Sequence, residues 1–94
     1  MTTYTRKQIL QILEVEDGFL VALEREDIVV ADAGRADLYS EQMLERVRVA
    51  YELVEELDVN IAGTAIIVRL REEMVGLRHE FAEVARELLR LREG

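Results

Sequence analysis

The spacing of apolar residues along this chain predicts four helices. Thr5 and Gln8 have the spacing of a capping box, and the apolar residues that follow repeat at helical intervals, so we predict a first helix over residues 6–13. After a turn at residues 14–17, we expect Asp17 to cap a second helix. The apolar positions of that helix are Phe19, Leu20, Leu23 and Ile28. Two short helices joined by a tight turn suggest a helix-turn-helix unit.

The next segment has the pattern of a small β-hairpin. Residues 28–30 are β-branched, residues 32–37 are rich in turn formers, and Leu38 and Tyr39 suit a returning strand. We therefore predict a β-hairpin wing after the second helix.

A third helix is predicted to begin after Ser40, a good N-cap, with Glu41 in its first turn. It would span about 18 residues, or roughly 27 Å. Its predicted inner face consists of Met43, Val47, Ala50, Tyr51, Val54 and Leu57.

The fourth helix is the longest, and its apolar residues follow a heptad repeat. Asn60 is its predicted cap, and it would run almost to Gly94, about 33 residues or roughly 50 Å. Its apolar positions, in steps of three and four, are Ile67, Leu70, Met74, Leu77, Phe81, Val84, Leu88 and Leu91. A repeat held this long predicts a coiled coil.

The third helix is too short to cover the fourth. The end of the apolar row would be exposed in a monomer, which indicates contact with a second, identical chain. The predicted dimerisation residues are Leu77, Phe81, Val84, Leu88 and Leu91.

Charge is unevenly distributed along the chain, whose net charge is −8. Residues 1–39 hold eight acids and four bases, residues 40–58 hold six and two, and residues 59–94 hold six of each. A phosphate backbone would be repelled by the first two-thirds, so nucleic acid is not the expected partner and a basic protein surface fits better.

Nothing in the sequence predicts an enzyme. There is no cysteine, His79 is the only histidine, and the carboxylate pairs lie on predicted solvated helices. We therefore expect no catalytic residues, no cofactor and no metal site. No apolar run could span a bilayer and no secretory signal is visible, so the expected localisation is cytoplasmic.

The order of elements resembles that of MerR-type proteins, and several segments do as well. Tyr4-Thr5 opens the head, residues 38–40 end the wing, and residues 44–48 and 55–57 fill the next helix. The resemblance implies a mainly α fold with a MerR-like winged helix-turn-helix head, residues 1–58. A long C-terminal coiled-coil helix, residues 59–94, would then pack on the head and form the dimer.

The resemblance weakens where such regulators contact DNA. At the positions of the second helix that usually carry an arginine and aromatics, this chain has Val21, Ala22 and Leu23. Arg25 is the only base of that helix, and Arg35 in the wing lies between Asp32 and Asp37. The head is thus degenerate as a DNA-binding unit.

A small acidic group, the chaperone-modulator (CbpM-like) family, is more similar, and the segment Val59-Asn60-Ile61-Ala62-Gly63 also resembles it. The resemblance implies that this protein binds the J-domain of a DnaJ-type co-chaperone. Such binding would restrain the action of the co-chaperone on Hsp70. The alternatives are a MerR-like transcriptional regulator and a purely structural assembly module. The candidate protein-binding residues are Glu24, Glu26, Asp27, Glu41, Glu45, Glu52 and Glu56.

Two observations conflict over the orientation of the dimer. With Ile67 at heptad position a, parallel chains would pair Glu73 with Arg78 and Glu87 with Arg92. The MerR resemblance implies antiparallel chains, and exposed ion pairs are weak enough for packing of the heads to outweigh them. From the sequence we therefore expect an antiparallel dimer.

Overall fold

The computed structural model describes residues 2–93, and over these residues the protein is mainly α-helical. In chain order the elements are β1 (Thr3–Thr5), α1 (Arg6–Leu13), α2 (Asp17–Arg25), β2 (Leu38–Ser40), α3 (Glu41–Tyr51), a π-helical segment (Glu52–Glu56) and α4 (Ile61–Glu93). The described part measures 55 × 31 × 21 Å. A small head is thus followed by one long helix that extends away from it.

The first helix begins and ends as the sequence predicts. The Thr5 hydroxyl accepts from the Gln8 amide at 3.1 Å, and the Thr5 amide donates to Gln8 Oε1 at 2.8 Å, which completes the capping box. Glu14, with φ 55°, ends the helix in the left-handed conformation. Its amide donates to the Leu10 carbonyl, which satisfies one of the carbonyls left unpaired at a helix C-terminus.

The second helix has a different cap from the one predicted. Its N-cap is Glu16, which makes no side-chain capping bond, so the prediction that Asp17 is the cap was wrong. Asp17 lies in the first turn instead, and its Oδ1 accepts from Arg6 Nε at 2.6 Å. The carboxylate therefore joins the start of α2 to the start of α1.

The small sheet pairs different segments from those predicted. β1 and β2 are antiparallel, with Tyr4 opposite Tyr39. Residues 28–30 are not a strand: Ile28 and Val29 are buried in the core instead. The predicted wing is reduced to a tight turn, in which Gly34 has φ 79°. At its base the Asp32 amide donates to the Leu38 carbonyl at 2.8 Å.

The remaining helices follow the prediction closely. Ser40 Oγ accepts from the Met43 amide at 3.2 Å, and Asn60 Oδ1 accepts from the Gly63 amide at 2.7 Å, so both predicted caps are present. The last turns of the predicted third helix adopt the wider π geometry. At the end of these turns Leu57 is 67% exposed, so the prediction that Leu57 belongs to the inner face of the third helix was wrong.

The core lies where α1, α2, the segment after α2 and α3 meet. Its largest fully buried aliphatic side chains are Ile9, Leu20, Leu23, Val29 and Val47. Phe19 and Tyr51 pack edge to face at its margin, with ring centroids 5.5 Å apart. Because three helices contribute to one cluster, the head is a single packed unit.

The long helix is attached to the head by its first three turns. Val68 and Thr64 are buried, and Thr64 satisfies its hydroxyl by donating to the Asn60 carbonyl at 2.9 Å. Further along, Arg46 of α3 binds Glu72 through two hydrogen bonds, of 2.8 Å and 2.7 Å. A third bond of 3.0 Å, from Arg46 to the Ile28 carbonyl, fixes both helices to the segment after α2.

Candidate functional site: an apolar row on the long helix and an acidic head

The most exposed apolar surface of the described residues is the heptad row of α4. Phe81 is 76% exposed and Leu91 is 68% exposed, and the other three predicted dimerisation residues are comparably open. Those three are Leu77, Val84 and Leu88. A contiguous apolar row of this kind marks an oligomerisation or binding surface.

The exposed row begins earlier than the sequence suggested. We expected the third helix to cover it as far as about Leu77, yet Ile67, Leu70 and Met74 are also exposed. We call the complete set the seam: Ile67, Leu70, Met74, Leu77, Phe81, Val84, Leu88 and Leu91. The helical wheel explains the difference, because each residue advances about 100° around an α-helix.

The head is attached to the face of α4 opposite the seam. Val68 and Glu72, which contact the head, lie about half a turn around the helix from Leu70 and Met74. In the heptad, residues 68 and 72 occupy the outer positions b and f, whereas the seam occupies a and d. The whole seam is therefore accessible without any movement of the head.

Charged residues flank the seam in an ordered way. Position g carries Glu73, Glu80 and Glu87, and position e carries Arg71, Arg78 and Arg92. Glu87 contacts Arg90 within the same helix, and Arg71 lies 3.8 Å from Glu45 of α3. Among the described residues, Glu73, Glu80 and Arg78 form no ion pair. One flank of the seam is thus acidic and the other basic.

Two of the candidate protein-binding residues share a cation. Arg48 binds both Glu45 and Glu52, the latter at 2.6 Å, through pairs three and four residues apart on one helix face. Hydrogen bonding from Arg48 lowers the pKa of Glu45, and the same contact raises the pKa of Arg48. The charges of these two carboxylates are therefore partly neutralised by Arg48. The sequence already indicated this, because Glu45 and Glu52 lie three and four residues from Arg48.

Glu24 has a structural environment. It accepts from Arg6 Nη1 at 2.6 Å and from the Tyr39 hydroxyl at 3.0 Å. Burial, and then the hydrogen bond to Glu24, raise the pKa of Tyr39, and hydrogen bonds to Asp17 and Glu24 raise the pKa of Arg6. Because this cluster joins α1, α2 and β2, Glu24 stabilises the head and offers less to a partner than its charge suggests.

The other four candidate residues are open to solvent. Glu26 and Asp27 follow the end of α2, Glu41 begins α3, and Glu56 ends the π-helical segment. None of them forms an ion pair with another described residue. Asp27 is held in the left-handed conformation, with φ 55°. These four, which we call the open acids, are accessible to a partner.

The surface that would read DNA is poor in suitable donors. Leu23 is fully buried, Val21 and Ala22 are half-buried, and Arg25 is the only base of α2. In the reduced wing, Arg35 is exposed. One arginine on the helix cannot supply the several phosphate and base contacts of a helix-turn-helix complex.

Residues 2–93 contain neither a cluster of metal-ligating side chains nor a membrane-spanning helix. This part of the chain brings together no three His, Cys, Asp or Glu side chains that could hold a metal ion. Within the same range, no helix has the length and apolar content needed to cross a membrane. His79 is exposed at heptad position f, away from the seam.

Comparisons with known proteins gave no match to this chain: neither a family model, nor a curated protein, nor a solved structure is significantly similar.

Proposed function

We propose that this protein is a homodimeric chaperone modulator, which binds the J-domain of a DnaJ-type co-chaperone and restrains its action on Hsp70. The partner type comes from the resemblance to the chaperone-modulator family. The observation that carries the proposal is the head surface, which presents the open acids, while α2 carries a single base, Arg25. A basic surface of the J-domain complements such a head, and this complementarity would speed association and set its salt dependence.

The seam supports the dimeric part of the proposal. Eight apolar side chains at a and d positions, all at least 37% exposed, match the requirement of a two-stranded coiled coil. A second copy of α4 supplies the same pattern and would cover the whole row. A partner that covered only part of it would leave apolar surface in water.

Calorimetric titration of the J-domain into the full-length protein tests the partner. The test variant is Glu41→Lys with Glu56→Lys, which reverses two open acids without disturbing Arg48. Reversal of Glu45 or Glu52 would instead place a lysine beside Arg48 and destabilise α3. The matched control is Glu83→Lys with Glu93→Lys, because these exposed residues of α4 lie outside the seam and its flanks.

The unmodified protein and the control should bind the J-domain with the same affinity, which falls as salt rises. The test variant should bind at least about tenfold more weakly, mainly through slower association. No heat from the unmodified protein would refute the proposal, and equal weakening by both double variants would move the contact away from the head. Sub-micromolar, sequence-specific binding to a DNA duplex at physiological salt would favour the transcriptional regulator instead.

A further inference from the structure

We propose that the two copies of α4 associate in parallel and in register along the seam, so that both heads lie at the same end of the coiled coil. This inference rests on the homodimer proposed above and specifies its geometry. It reverses the antiparallel arrangement expected from the sequence. The reason is the side of α4 on which the head is attached.

The antiparallel expectation assumed that packing of the heads could outweigh the charges beside the seam. In the structure, the head contacts α4 mainly through residues at the outer positions, such as Val68 and Glu72, and it reaches the basic flank at Arg71, which lies 3.8 Å from Glu45. The seam faces the other way and is exposed from Ile67 onward. Each head of a dimer would therefore lie on the outside of the coiled coil, where it neither blocks nor favours one direction of the partner helix.

With the heads removed from the interface, the flanking charges decide the orientation. In parallel coiled coils, position g of one chain lies beside position e of the other. Glu73 of each chain then meets Arg78 of its partner, and Glu87 meets Arg92, which gives four attractive pairs per dimer. Glu73 and Arg78 form no competing ion pair among the described residues, so their charges remain available.

In an antiparallel coiled coil, position g lies beside g and position e beside e. The acidic flank, Glu73, Glu80 and Glu87, would then meet the acidic flank of the partner, and the arginines would meet arginines. Sliding one helix along the other does not remove this conflict, because three successive g positions, 73, 80 and 87, are all glutamate. Like charges held together at an interface are unfavourable, so the pattern selects against this arrangement.

Single cysteines at the two ends of the seam distinguish the arrangements, since the natural chain has no cysteine. In a parallel dimer, Leu70→Cys and Leu91→Cys each face their own copy at position d, within reach of a disulfide. In an antiparallel dimer that overlaps the full seam, position 70 faces 88 and position 91 faces 67. Neither cysteine would then meet its copy, because the two copies of residue 70 would lie about 27 Å apart along the coiled coil, and the two copies of residue 91 about 36 Å apart.

Both variants should form interchain disulfides under mild oxidation, far above the level of the control Glu83→Cys, which lies on the outer surface. Sedimentation equilibrium of the reduced proteins runs alongside. A dimer that cross-links at neither position, or at one only, overturns the parallel, in-register arrangement. A monomer overturns the proposed homodimer and this inference with it.

Charge reversal on the basic flank gives a second test whose sign differs between the two orientations. The variant Arg78→Glu with Arg92→Glu converts the four attractive pairs of a parallel dimer into repulsive ones. It should weaken dimerisation by about tenfold or more. In an antiparallel dimer the same variant would relieve repulsion on the basic flank and tighten the association, which would contradict the proposal.

Discussion

Truncation of one seam residue, Phe81, should weaken the proposed dimer far more than it weakens the fold of the single chain. In a single chain the Phe81 side chain is 76% exposed, so Phe81→Ala removes few contacts within the monomer. We expect its effect on monomer stability to stay within about 0.5 kcal/mol, which is typical of surface positions.

The magnitude for the dimer follows from the exposed fraction. Complete burial of a phenylalanine contributes about 3 kcal/mol, so burial of the three-quarters that is open contributes about 2 kcal/mol per chain. The two chains together lose about 4 kcal/mol of burial energy. The new alanine still buries its methyl group, and the seam partly closes around it, so both effects reduce this loss. The net loss is about 3 kcal/mol, equivalent to an increase of about a hundredfold in the dissociation constant.

Sedimentation equilibrium over a range of protein concentrations measures this change. The matched control is Leu57→Ala, because Leu57 is 67% exposed but lies outside the seam. The control should leave the dissociation constant unchanged. Equal dissociation constants for Phe81→Ala and the unmodified protein would refute the assignment of Phe81 to the interface.

Two further predictions concern stability. Gly76→Ala should raise the free energy of unfolding by about 1 kcal/mol in urea titrations, because a Cβ there meets nothing within 4 Å and alanine favours a helix interior; a loss of stability would reveal a close contact. Hydrogen bonding from Arg46 lowers the pKa of Glu72 in the folded protein, so the contribution of this carboxylate to stability should be present above the pKa of an unfolded glutamate and disappear as the pH falls through the folded-state pKa. Glu72→Gln should therefore destabilise the protein at pH 7, and this loss should shrink as the solution is made more acidic; a loss that does not change with pH would contradict this.

Features that depend on neighbouring residues were predictable from the sequence. The capping box of Thr5 and Gln8 and the caps at Ser40 and Asn60 each arise within one helical turn, and the extent of α4 follows from the residues of that helix alone. The periodicity of the seam was equally visible, because a heptad repeat is a property of one helix. In each of these cases the physical cause lies within the segment that it shapes.

Features that depend on distant residues were not predictable. The partner of β2 is β1, more than thirty residues earlier, and a strand of three residues has too few positions to show an alternating pattern. Arg6 meets Glu24, and Arg46 meets Glu72, only after the helices have packed. The first contact makes Glu24 part of the packed structure of the head. The second attaches the head to the outer face of α4.

The exposure of the second half of α4 has a consequence for how the protein folds. In residues 77–93 every side chain except Ala82 and Ala85 is exposed, so this half of the helix has almost no support from its own chain. Most of the stability of helices in proteins comes from packing of their apolar face, and this half has no such packing in a single chain. Its winding would therefore be coupled to association, and the helix content of the protein should rise with its concentration. A cell could then control the length of the ordered rod through the amount of protein that it makes.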